Sequence, residues 1–118
     1  MTESAYELFR EGQKRLRSGL TAQATVPLEK AKKLELAKAS IREALGIAYF
    51  RLARWRDAER EFRTIVEELS PTDHYAHYAL GRALEQLGKT AEANGHYKLA
   101  SSMKPSSETY SSRILDLE

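Results

Sequence analysis

A chain of 118 residues, 42% apolar and free of cysteine, has material for one core but none for a disulfide framework or a thiol nucleophile. Its formal charge of +2 is too small to point to a nucleic-acid partner, and it has no apolar run of about 18 residues that could span a membrane. Ala, Leu, Glu, Lys and Arg dominate, and all favour helix. The expectation is an all-α, soluble, cytoplasmic protein, whose opening MTESAYELF lacks the features of a secretory signal.

Residues 1–4 read as a frayed leader. From Ala5 a first helix carries Leu8, Gly12, Leu16 and Leu20, with Gly19 as its natural terminator. A second, over roughly 22–35, sets Ala24, Leu28, Ala31 and Leu34 on one face. Pro27 falls inside it and lacks an amide, which predicts a kink or a late start near Thr25. Lys32–Lys38 holds neither Gly nor Pro, so the break expected near Leu36 rests on packing alone. Were the two helices to fuse, the first hairpin would swing away and could swap onto a second molecule.

Residues 39–71, ASIREALGIAYFRLARWRDAEREFRTIVEELSP, read as two amphipathic helices in a hairpin. Leu45, Gly46 and Tyr49 lie on the first, Trp55, Asp57 and Ala58 at the turn, and Phe62, Ile65 and Val66 on the second. The turn Leu52–Trp55 has no glycine, and Asp57 is expected to accept hydrogen bonds from free amides in the next helix. A third unit, about 74–107, carries Leu80, Gly81, Leu84, Gly88, Glu92, Ala93, Tyr97, Ala100 and Pro105. Tyr110, Ile114 and Leu117 then mark a short final helix.

Gly12, Gly46 and Gly81 are 34 and 35 residues apart, and Ala24, Ala58 and Ala93 repeat those intervals, as do Leu28, Phe62 and Tyr97. Small residues let paired helices approach, and large ones fill the space between hairpins. Leu45-Gly46-x-x-Tyr49, Ala58-x-x-x-Phe62 and a closing Pro71 in a unit of about 34 residues resemble a tetratricopeptide repeat. The resemblance covers nearly the whole chain. It implies an α-α superhelix, right-handed and forming one domain over 5–118, of three hairpins (about 5–38, 39–72 and 74–107) and a C-terminal capping helix (about 108–118). The first unit departs from the pattern: Arg15 stands where a large aromatic is expected and Leu36 replaces the proline.

The resemblance also implies a concave face, lined by the first helix of each hairpin, across which a peptide or helix of a protein partner lies. The groove positions carry over to Tyr6, Phe9, Gln13, Leu16 and Arg17, then Ser40, Glu43, Ala44, Ile47, Phe50 and Arg51, then Tyr75, Tyr78, Ala79, Arg82, Glu85 and Gln86. Aromatics beside arginines suit recognition, since rings bury area at low entropy cost and Arg offers a rigid donor fork. Tyr49 and Trp55 point between hairpins and read as core. The clamp that grips a carboxyl-terminal carboxylate needs asparagines and lysines. This chain has Phe9, Gln13, Ala44, Tyr75 and Ala79 there, with only Arg51 and Arg82 positive in the middle. That excludes a chaperone-tail binder of this kind and leaves an acidic or aromatic-containing peptide.

Catalytic chemistry is not marked. Asp73, His74 and His77 cluster at a helix start with both rings on one side, a zinc-like set, but a fourth ligand is missing and His96 lies on another helix. Capping is the simpler role. Ser101-x-x-Lys104 has no companion motif, and there is no HExxH, phosphate loop or Gly-x-Ser-x-Gly elbow. The expected function is a non-catalytic adaptor or chaperone-like module without cofactor or metal. A rival reading buries the groove or end repeat in a homodimer. Another places RNA on the basic first hairpin, around Lys30, Lys32 and Lys33, although Glu29 and Glu35 interrupt that patch.

Overall fold

Helix α1 (Ala5–Arg17) starts where the Ser4 hydroxyl accepts the Glu7 amide at 3.1 Å, in a computed structural model that describes residues 4–114. It is followed by α2 (Thr21–Leu34), α3 (Ala39–Arg51), α4 (Trp55–Thr64), α5 (His74–Gln86), α6 (Thr90–Met103) and α7 (Glu108–Ser111). A wider π-helical turn, Ile65–Leu69, prolongs α4. The helices pair as α1/α2, α3/α4 and α5/α6, each pair stacking on the next, in a body 57 Å long and 24 by 22 Å across. There is no strand among the described residues.

The repeating columns explain the stacking. Each hairpin closes over a glycine: a Cβ on Gly12 would lie 2.4 Å from Leu28 Cγ, one on Gly46 2.5 Å from Phe62 Cζ, and one on Gly81 2.5 Å from Tyr97 Cε1. Each large side chain therefore occupies the space a methyl group would need. Ala24, Ala58 and Ala93 are fully buried beneath them. The tight turns also recur, with Gly19, Ala53 and Gly88 at φ of 77°, 59° and 78°. Ala53 thus holds the left-handed position that glycine holds in the other two hairpins.

Pro27 does not delay α2, which begins at Thr21. The missing Pro27 amide deprives the Gln23 carbonyl of its helical donor, and Arg15 Nη1 donates to that oxygen at 3.0 Å. The basic residue that departs from the repeat pattern therefore repairs the defect that proline makes. The helices do not fuse either. Leu34 ends α2, and Arg42 donates to the Leu36 carbonyl from Nε and Nη2 at 3.2 and 3.0 Å, so the break is held by a side chain as well as by packing. The first hairpin sits on the second within this chain through Lys32 Nζ to Glu61 at 2.9 Å and the Tyr49 hydroxyl to Glu29.

Two further expectations need correction. Asp57 caps no amide; it pairs with Arg54 at 2.8 Å, because it already lies inside the first turn of α4. The final helix is one turn, Glu108–Ser111, after which Ile114 still packs on the core; Leu117 lies outside the described residues. Tyr49 is buried and Trp55 half-buried, its ring edge-on to Phe50 at 4.9 Å.

The outward side of the first hairpin differs from its counterparts. Ile41, Ala44, Leu45 and Ala48 in α3, like Ala76, Ala79, Leu80 and Ala83 in α5, are buried against the preceding hairpin. The same columns in α1 hold Glu7, Arg10, Glu11 and Lys14, which line a shallow polar surface. The sequence shows this substitution directly, as a column that changes from apolar to charged.

Candidate interaction groove

Because hairpins alternate direction, α1, α3 and α5 run the same way and present one face. Between α3 and α5 lies a recess of about 190 Å³, lined by Ile47, Phe50, Arg51, Phe62, Tyr75, Tyr78, Ala79 and Arg82. Between α1 and α3 lies another of about 240 Å³, lined by Phe9, Gln13, Leu16, Arg17, Ser40, Glu43, Ala44, Ile47 and Arg51. Ile47 and Arg51 border both, so the two form one trough. Glu85 and Gln86, expected in the groove, line neither recess. Tyr6 is 67% exposed and borders a hollow beside Glu35 and Lys38 that shares Phe9 and Ser40 with the α1–α3 recess, and Glu85 faces Arg113 at 3.6 Å.

The floor of the α3–α5 recess is aromatic. Tyr75 meets Phe62 edge-on at 6.4 Å and leans on Tyr78 at 6.2 Å. Phe62 belongs to α4 and read as core from sequence. It reaches the trough because Gly46 has no side chain in its way, so the repeating glycine column was the available signal. Arg82 lies over the Phe50 ring at 5.0 Å, within cation–π range, and donates from Nη1 to the Tyr78 hydroxyl at 3.2 Å.

Charge is uneven across the trough. Arg17 and Arg51 end α1 and α3 along one edge, while Glu43 and Asp73 stand toward the other, near the helix starts. Burial pushes the Glu43 carboxyl above its ordinary pKa, and the Asp73 carboxylate adds to the effect. The Tyr75 hydroxyl is raised by burial and then by Glu43. Among the described residues, Arg17, Arg51 and Arg82 face no carboxylate, whereas Arg15, Arg42, Arg54, Arg60, Arg63 and Arg113 each do.

The histidines disperse. Asp73 caps α5 by accepting the Ala76 amide at 3.0 Å. His74 Nδ1 meets the Tyr110 hydroxyl at 2.8 Å, tying α7 to α5. His77 turns the other way and stacks on His96. No three metal-ligating side chains converge among the described residues, and no described helix is long and apolar enough to cross a membrane.

No family model and no curated protein matches the sequence. Solved structures do match the fold. The first TPR of Spaghetti (RPAP3), bound to an HSP90 peptide SRMEEVD, superposes with a TM-score of 0.89 at 22% identity, covering 94% of this chain and 87% of that one. The Arabidopsis OM64 TPR domain gives 0.88 at 19%, covering 93% and 90%. MamA gives 0.89 at 24%, with 93% of this chain on 64% of that one. Three hairpins with glycine, alanine and large-residue columns at one period, superposing this closely on those domains, give this chain the tetratricopeptide-repeat fold.

Proposed function

We propose that this chain is a non-catalytic interaction module that holds a segment of a partner protein in the trough across α1, α3 and α5. The observation that carries this reading is the continuity of the two recesses through Ile47 and Arg51, which makes a surface long enough for a peptide. Half-exposed rings and rigid guanidinium groups are the side chains that anchor such contacts. The RPAP3 domain of the same fold is bound to a peptide, which supports this use of the architecture. The basic patch on the first hairpin is less available to RNA than its sequence suggests, since Lys32 is engaged by Glu29 and Glu61.

The test is selection of a random dodecapeptide display library on the immobilised protein, followed by counter-binding to Ile47→Lys and Phe50→Ala. Peptides that lose at least tenfold in affinity on both variants, with helical circular dichroism unchanged, are the expected result. Selected peptides indifferent to both substitutions would place binding elsewhere and end the reading.

A further inference from the structure

Resting on that reading of the trough, we propose that its occupant is an internal acidic segment, with an apolar side chain seated in the Phe50–Tyr78 recess and carboxylates on the Arg17–Arg51 edge.

The argument starts from which charges are already satisfied. Six arginines are neutralised by carboxylates of this chain. Arg17, Arg51 and Arg82 are not, and all three border the trough; outside it, only Arg10 and Arg56 share that state among the described residues. A cation near a helix C-terminus gains from the helix dipole, which accounts for Arg17 and Arg51 being tolerated at the ends of α1 and α3. It does not consume their donor forks, which stay free for a bidentate carboxylate.

Position then fixes the pattern. Arg17 and Arg51 occupy the same place in successive hairpins, 34 residues apart, each ending the first helix of its hairpin. A segment laid across the ends of α1 and α3 passes both guanidinium groups in turn, so its carboxylates can meet them one after the other. Arg82 lies one helical turn inward of that edge, fixed over Phe50, and forms a wall of the apolar recess. On the opposite edge, Glu43 already titrates upward beside Asp73, so acidic side chains are disfavoured there. The polarity runs across the trough: acid toward the helix ends, neutral or basic groups toward the helix starts. Nothing in this arrangement requires a free chain terminus, so the segment can be internal.

The peptides selected above, resynthesised with acetylated and amidated ends, provide the probe. Their binding is measured by fluorescence anisotropy to wild type, Arg17→Glu and Arg51→Glu, and as a function of salt. The inference expects acidic sequences with an aromatic or large aliphatic residue, a loss of tenfold or more on either reversal, and weakening as salt rises. It also expects binding to return when the Arg51→Glu protein meets a peptide whose acidic residues are replaced by lysine. A structural role for Arg51 could not produce that exchange. Trough-dependent peptides of neutral or basic character, indifferent to both reversals, would overturn this inference and leave the interaction-module reading standing. Peptides indifferent to the trough variants themselves would overturn both.

Discussion

His77 and His96 face each other across the α5–α6 hairpin with their Nδ1 atoms 3.0 Å apart, in the same two positions where the α3–α4 hairpin holds the ion pair Arg42–Glu61 at 2.9 Å. The equivalence extends to the connectors. Arg42 donates to the Leu36 carbonyl, and His77 Nε2, 35 residues on, donates to that of Pro71 at 2.7 Å. Since a carbonyl only accepts, His77 carries a proton on Nε2, and the Nδ1–Nδ1 contact takes its proton from one of the two rings. One connector is thus latched by a permanent charge and the other by two stacked imidazoles.

Acid should therefore weaken the third hairpin selectively. Burial, then His77, lowers the His96 pKa below its ordinary 6.5; Glu92 and Glu67 oppose this and Arg63 reinforces it. With the folded pKa depressed, the unfolded chain binds the proton more readily. The stabilisation from neutral His96 is complete above about pH 6.5 and is lost as pH falls toward the folded value. Urea midpoints measured from pH 8 to 5 should fall, and His96→Gln, which keeps a donor but cannot titrate, should flatten that slope.

Glu61 is only 2% exposed and is shared by Lys32 and Arg42. Glu61→Ala should cost about 3–5 kcal/mol, because it strands Arg42 in the hairpin interior. The first hairpin holds Leu8 and Pro27 in these two positions, which shows that the site accepts apolar groups. The double variant Arg42→Leu/Glu61→Leu should then recover part of the loss in chemical denaturation, the remainder reflecting the Leu36 carbonyl and Lys32 left without these partners.

Gly46→Ala should destabilise by about 1–3 kcal/mol, since its new Cβ would meet the Phe62 ring at 2.5 Å. The same substitution should move Phe62 at the trough floor. Peptide affinity would fall even under conditions where the variant remains folded, a difference that calorimetry and anisotropy together would reveal.

Ala53→Gly should raise stability by about 0.5–1 kcal/mol. It removes the left-handed penalty of about 1–2 kcal/mol and concedes part of that to the freer unfolded chain. The thermal midpoint is the readout.

Much of this architecture is legible in the sequence because it depends on residue size at a fixed period. Gly46, Ala58 and Phe62 state the helix approach, the contact and the filler, and Gly81, Ala93 and Tyr97 repeat them. What escaped is chemistry that acts between distant positions. Arg15 could be recognised as a misfit, but not as the donor that the Pro27 defect requires 3.0 Å away. Sequence proximity pairs His77 with His74, whereas His96 on another helix, one period along from Glu61, is its partner. The trough residues share a helical stripe, which periodicity shows; their charge state depends on which arginines found acids elsewhere, which it does not.

The charged column Glu7, Arg10, Glu11 and Lys14 carries a last consequence, for assembly. A stacked array of this kind is a polymer of hairpins, and the outward face of α1 is made polar by four side chains rather than by any change of backbone. Replacing them with the Ile, Ala, Leu and Ala of α3 would turn that terminus into an adhesive end with the same register as the interior. The opposite end is already covered by α7, whose Tyr110 is buried and bonded to His74, so the new surface would find no complement in an identical copy and would stand as an exposed apolar patch, a liability for non-specific association.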